Sequence, residues 1–110
     1  MKTNVIVILA MVLSATALDA QAVEILGFKS CGKWVQDRTE NSWPALINRN
    51  WLFGYISGLA VAKSKDFLGS RPDVASLELW VDNYCRSNPL NNLDAAGNAL
   101  ALELMKKNGL

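Results

Sequence analysis

The stretch LELWVDNYC, residues 77–85, decides the fold, because its apolar side chains recur at one helical spacing. They fall at positions i, i+3, i+4, i+7 and i+8, which together make one face of an α-helix: Leu77, Trp80, Val81, Tyr84 and Cys85. Asp73 or Ser76 can cap the start of this helix, and Asn88-Pro89 ends it. We therefore expect a helix that carries Cys85 into the core.

The segment before this helix predicts a longer one, from Ala45 to about Lys65. Trp43-Pro44 should form a turn or extended pair ahead of it, since the residue before a proline avoids helical dihedrals. The apolar side chains recur at helical spacing and predict one buried stripe, made of Ile47, Trp51, Tyr55, Leu59 and Ala62.

Two shorter segments complete the set of helices. The first runs from Cys31 to about Thr39 and carries Trp34. The second starts near Asn91 or Asn92 and should bury one face, made of Leu93, Ala96, Leu100 and Leu104. No segment shows the alternation of a β-strand. The sequence thus predicts an all-α fold, a small four- to five-helix bundle.

The first 22 residues have the features of a cleaved export signal. Lys2 precedes an almost unbroken apolar run from Val5 to Leu13, and Ala20-Gln21-Ala22 has the small-x-small form of a cleavage site. We expect residues 1–22 to be removed and residues 23–110 to form a single helical domain. We also expect that domain to be periplasmic or secreted, with no membrane attachment after cleavage.

Cys31 and Cys85 are the only cysteines, and both follow the export signal. In an oxidising compartment two such thiols are most simply explained as one structural disulfide. They do not form a Cys-x-x-Cys pair, and a zinc site would need further cysteines or histidines. The bridge should staple the bundle, because a domain of this size has a thin core.

Composition argues against several classes of function. The chain has no histidine, which excludes Ser-His-Asp and Cys-His catalysis. Its net charge is +1 and its basic residues are scattered, so a nucleic-acid partner is not expected. Asp37 and Glu40 could act as an acid and base pair, but such pairs are more often solvated surface. We expect no enzyme, no cofactor and no metal ion.

Two glycines and four aromatic residues are the candidate contact residues. Gly54 and Gly58 lie one turn apart in the long helix and are expected to pack closely against another helix of the chain, with a partner's helix as the alternative. The aromatic residues can either fill the core or form a protein-binding surface: Trp51, Tyr55, Trp80 and Tyr84.

The order of these motifs resembles the HdeA/HdeB family of small periplasmic proteins. The shared order is Cys31 with Trp34, then WLFGYISG at 51–58, then WVDNYCRSNPL at 80–90 and an alanine-rich last helix. The resemblance implies a compact helical fold with a Cys31–Cys85 disulfide and acid-activated chaperone activity. The Gly-Tyr-x-x-Gly helix is also similar to a helix of the immunity proteins of type VI secretion systems called Tai or Rap. Those proteins usually have more cysteines.

The change in net charge with pH is compatible with acid activation. Without the signal the domain has ten Lys or Arg and nine Asp or Glu, so it would move from about +1 at neutral pH to about +10 at about pH 2. Self-repulsion would then loosen it and expose apolar surface to unfolded periplasmic clients. An inhibitor of one effector enzyme and an envelope structural protein are the alternative functions, and a homodimer is an alternative assembly.

Overall fold

The computed structural model describes residues 23–110, so the predicted export signal at residues 1–22 lies outside the described residues. Four helices account for most of the described chain: α1 Cys31–Glu40, α2 Trp43–Lys63, α3 Val74–Ser87 and α4 Leu93–Lys107. Within residues 23–110 there is no β-strand, and one isolated bridge joins Ser30 to Asn92. The predicted all-α bundle is confirmed.

The helix ends follow the capping chemistry of their residues. The Ser30 side chain accepts a hydrogen bond from the Lys33 amide and starts α1, and Asp73 accepts from the Ser76 amide and starts α3 as predicted. The prediction of a turn at Trp43-Pro44 is wrong, because α2 begins at Trp43 and contains Pro44 in its first turn. A proline is tolerated there since its missing N–H would have no partner inside the helix.

The disulfide between Cys31 and Cys85 is present, with an S–S distance of 2.11 Å, and joins the first residue of α1 to α3. Both cysteines are fully buried. Helix α4 packs against each of the other three helices, and α3 also packs against α1. The face predicted for α4 is buried as expected: Leu93, Ala96, Leu100 and Leu104.

The buried face of α2 differs from the predicted stripe by one position. Its buried residues are Asn48, Leu52 and Ile56, whereas Ile47 and Ala62 are exposed. The remaining members of the stripe are half-buried: Trp51, Tyr55 and Leu59. The buried stripe of α2 is predicted wrongly because apolar residues occupy adjacent faces of this helix, and hydrophobic periodicity does not distinguish between them.

The prediction that Gly54 and Gly58 pack closely against another helix of the chain is wrong for residues 23–110. Both are exposed, and a Cβ atom built on either would meet no atom within 4 Å. The close approach occurs at Gly97 of α4 instead, where a Cβ would lie 2.7 Å from Cδ1 of Tyr55. The small residue at the α2–α4 contact is therefore on α4, and α2 contributes the large side chains.

Candidate functional site

Three carboxylates are buried where α1, α2 and α3 meet: Asp37, Glu78 and Asp82. Together with the cations that face them, Lys33, Arg38 and Arg49, they are called the charged joint here. A buried charge is stable only when it is paired and hydrogen-bonded, so these contacts are required by the burial itself. The sequence prediction that Asp37 is solvated surface is wrong, whereas Glu40 is exposed and accepts a hydrogen bond from Gln36.

Asp82 accepts the strongest hydrogen bonds of the charged joint. Arg38 donates to both of its carboxylate oxygens, from Nε at 3.0 Å and from Nη2 at 2.8 Å. Trp34 donates from Nε1 to the same carboxylate at 2.7 Å, inside the core. Bidentate hydrogen bonds between a guanidinium group and a carboxylate are among the strongest hydrogen bonds in proteins. The hydrogen bonds to Asp82 raise the pKa of Arg38, so its charge persists at every accessible pH.

Glu78 connects all three helices. Its Oε1 atom lies 3.5 Å from Nη1 of Arg38 on α1 and 3.7 Å from Nη1 of Arg49 on α2. One carboxylate oxygen therefore faces two guanidinium groups at ion-pair distance without a short hydrogen bond to either.

Asp37 holds α1 to α2. It accepts hydrogen bonds from Lys33 Nζ at 2.6 Å and from Asn48 Nδ2 at 2.7 Å, and its side chain is almost fully buried. The hydrogen bond from Lys33 lowers the pKa of Asp37, and it outweighs the effect of burial, which acts in the opposite direction. The same hydrogen bond raises the pKa of Lys33. The folded state thus favours the charged form of both partners.

The four predicted aromatic residues form two separate stacked pairs, one on each of two helices. Trp51 stacks on Tyr55 in α2, and Trp80 stacks on Tyr84 in α3, with ring centroids 5.1 and 5.7 Å apart. All four are half-buried and pack against the core. Among the described residues no ring pair connects the two helices, so the structure does not unite these residues in one binding surface.

Each stacked pair also fixes a neighbouring segment. Trp51 donates from Nε1 to the Leu26 carbonyl at 2.8 Å, which holds the N-terminal segment against α2. Tyr55 donates to Oδ1 of Asn98 on α4, and Asn91 donates to the Tyr84 hydroxyl. Burial raises the pKa of Tyr55. These hydrogen bonds give Trp51, Tyr55 and Tyr84 structural contacts at the edge of the core.

An exposed apolar surface, called the outer face of α2 here, runs along that helix. Trp43 and Val61 are 72% and 81% exposed, and Ile47, Gly54 and Gly58 lie between them on the same side. At 3.6 residues per turn these five positions fall within about 60° of one another. No charged residue occurs from position 50 to position 62. The face, which also carries the exposed Asn50, is mostly apolar surface that the described residues leave uncovered.

No protein-family model, curated protein or solved structure matches this chain. No helix in the described part of the chain has the length and apolar character needed to cross a membrane. Residues 23–110 also contain no group of three or more His, Cys, Asp or Glu side chains placed to hold a metal ion. A disulfide in a small helical domain is compatible with an extracellular location.

Proposed function

We propose that this chain is an exported, non-enzymatic protein-binding domain of the HdeA-like type that keeps unfolded proteins in solution at low pH. The observation that carries the proposal is the charged joint. Three buried carboxylates hold α1 to α2 and α3, and acid removes the charge of each one. Because the chain has no histidine, its response to acid comes from carboxylates alone.

Protonation would act on the joint in two ways. It removes the negative partner of Lys33, Arg38 and Arg49, and those cations keep their charge. It also leaves the domain with about ten uncompensated positive charges, which repel one another in the compact state. Both effects weaken the attachment of α1 to α2 and α3 as the pH falls.

The disulfide would limit how far the chain opens. Cys31 and Cys85 keep α1 joined to α3 when the ion pairs are lost. Helix α2 contains no cysteine and is joined to α1 and α3 only through the chain, and its buried face carries Leu52 and Ile56. Movement of α2 would uncover that face, which supplies apolar surface for an unfolded client.

Suppression of client aggregation at pH 2–3 and at pH 7 tests the proposal. We expect the mature chain to keep several unrelated clients soluble, and to bind a hydrophobic dye, in acid only. Asp82→Asn should lower the free energy of unfolding by about 1.5–3 kcal/mol, because Arg38 and Trp34 lose a charged acceptor. The dye-binding transition of this variant should therefore lie at higher pH than in the wild type.

Glu24→Gln is the matched control, since it removes one carboxylate from an exposed position. Its transition should coincide with that of the wild type. The proposal is contradicted if no client is kept soluble in acid, or if Asp82→Asn and Glu24→Gln open at the same pH.

The outer face of α2 favours a second candidate, an immunity-type inhibitor of one type VI secretion effector. That face is exposed in the folded state, where an inhibitor must act, and it needs no acid opening. Binding at pH 7 to a secreted enzyme encoded beside this gene is the test. Nanomolar binding that Val61→Asp abolishes, without client protection in acid, would favour the inhibitor.

A further inference from the structure

A cavity of about 350 Å³ lies where α1 ends and α2 begins. Its lining comes from all three helices of the charged joint and includes Arg38, Ser42, Trp43, Leu46, Arg49 and Glu78. The volume is in the range of sites that take a small ligand or one or two side chains of a peptide.

The two arginines of this cavity have hydrogen-bond donors left over. Asp82 occupies Nε and Nη2 of Arg38, and Nη1 is left with only the 3.5 Å contact to Glu78. Arg49 makes no side-chain hydrogen bond within the described residues, and its one ion pair is the 3.7 Å contact to the same Glu78 oxygen. Their side chains are 32% and 36% exposed, so an external acceptor can reach them.

The charges around the cavity disfavour a dianion. Arg38 and Arg49 are balanced by two carboxylates, Glu78 in the lining and Asp82 outside it, so the cavity offers an anion free guanidinium donors and no excess of positive charge. A dianionic phosphate would be repelled by Glu78 more strongly than a carboxylate, whose two oxygens also match the guanidinium fork.

The start of α2 adds to the attraction. Ser42 is the N-cap residue, but its side chain makes no capping hydrogen bond, and its Oγ atom is buried without a partner. The positively polarised N-terminus of α2, a 21-residue helix, therefore borders the cavity without a side-chain cap. Beside it Trp43 is 72% exposed and supplies an apolar wall next to the cations.

We propose that this cavity binds a carboxylate of a partner polypeptide, with an apolar residue next to that carboxylate covering Trp43. The carboxylate accepts hydrogen bonds from Arg49 and from Nη1 of Arg38. The site belongs to the folded state at neutral pH, so it does not depend on acid opening or on chaperone activity.

The test uses the mature chain at pH 7 and two acetylated pentapeptide amides, Ala-Leu-Glu-Leu-Ala and Ala-Leu-Gln-Leu-Ala, with binding followed by NMR shifts. The first peptide should bind at least about tenfold more tightly than the second, because only it carries the charge. Arg49→Met, which keeps an apolar stem, should remove that difference. Trp43→Ala should weaken the first peptide severalfold, and it leaves the ion pairs of Glu78 intact.

Arg86→Met is the matched control, since Arg86 is exposed and lies outside the cavity, and it should bind like the wild type. Equal binding of the two peptides, or tight binding that survives Arg49→Met, would overturn the site. Acetate that competes as strongly as the peptide would overturn the polypeptide assignment. Loss of client protection in acid would leave these results unchanged, so failure of the proposed function can be told apart from failure of this site.

Discussion

The contact between α1 and α3 and the contact between α2 and α4 are built from different chemistry. The first contains the disulfide and the hydrogen bonds of Arg38 and Trp34 to Asp82. The second consists of apolar side chains packed on Gly97 and one neutral hydrogen bond from Tyr55 to Asn98. Acid can therefore weaken the first contact directly, whereas the second responds only to the overall charge of the domain.

The charged and the apolar contacts also differ in what they contribute: the charged ones set the orientation of α1, and the apolar ones contribute to the stability of the fold. Buried ion pairs recover little net free energy, because each charge first loses its hydration. The charged joint therefore fixes how α1 is oriented, and the disulfide and the apolar core must supply most of the stability. This division predicts which substitutions have large effects and which change only the response to pH.

Loss of the disulfide should have the largest effect. Cys31 and Cys85 are 54 residues apart, and closing a loop of that length stabilises a fold by about 4 kcal/mol on the chain-entropy model. We expect a loss of that order in the free energy of unfolding by urea when the mature chain is reduced. The double variant Cys31→Ser, Cys85→Ser should be equally weak and insensitive to reductant. Unchanged stability on reduction would contradict the assignment of stability to the bridge.

Gly97→Ala tests the apolar contact between α2 and α4. The added Cβ would lie 2.7 Å from Cδ1 and 3.0 Å from Cε1 of Tyr55, so the ring or the helix must move. We expect a loss of about 1–3 kcal/mol from overpacking, although alanine is the better helix former. Urea unfolding at pH 7 measures it, and the loss should be the same at pH 4 because no titrating group is involved.

Gly58→Ala is the matched control for that substitution. The site lies in the same pair of helices but is exposed, with no atom within 4 Å of the new Cβ. We expect a gain of up to about 1 kcal/mol from helix propensity alone. A loss at Gly58 like that at Gly97 would show that Gly58 is in a close contact after all.

The sequence predicts the elements of this fold better than their contacts. The face of α3 could be read because polar residues flank the apolar stripe that includes Leu77. Helix α4 is largely apolar, but three of its four leucines, at 93, 100 and 104, share one face and indicated the buried side. The face of α2 could not, because it is apolar on several sides. The spacing of Gly54 and Gly58 is compatible with close helix packing and with an open face, and the local sequence does not distinguish the two.

The charged joint was missed for a different reason. Arg38 and Asp82 are 44 residues apart, and a charged residue looks the same in sequence whether it is solvated or paired. One signal was present, since Asp37 and Arg38 follow Cys31 and Trp34 by helical spacing on the face that enters the core. Charges on a face that also carries a buried cysteine and tryptophan indicate a buried pair.

Asp37→Asn gives the most specific effect, a change in the pH dependence of stability. The pKa of Asp37 is lowered in the fold from its usual value of 3.8, mainly by the hydrogen bond from Lys33. The unfolded chain therefore binds the proton first as pH falls, so the stabilisation by this carboxylate is complete above the usual value and is lost below it. The wild type should be more stable than the variant at pH 7, and the difference should shrink between about pH 4 and pH 2.

Urea unfolding of both proteins at several pH values measures this convergence. Added salt should reduce the difference at pH 7, because Lys33 is half-exposed and its attraction to Asp37 is partly screened. Glu40→Gln, which alters an exposed carboxylate of the same helix, should leave the wild-type pH dependence intact. If the difference between Asp37→Asn and the wild type stays constant down to pH 2, Asp37 does not produce the acid response of the α1–α2 contact. Glu78, which lies near Arg38 of α1 and Arg49 of α2, would then remain as the carboxylate that could produce it.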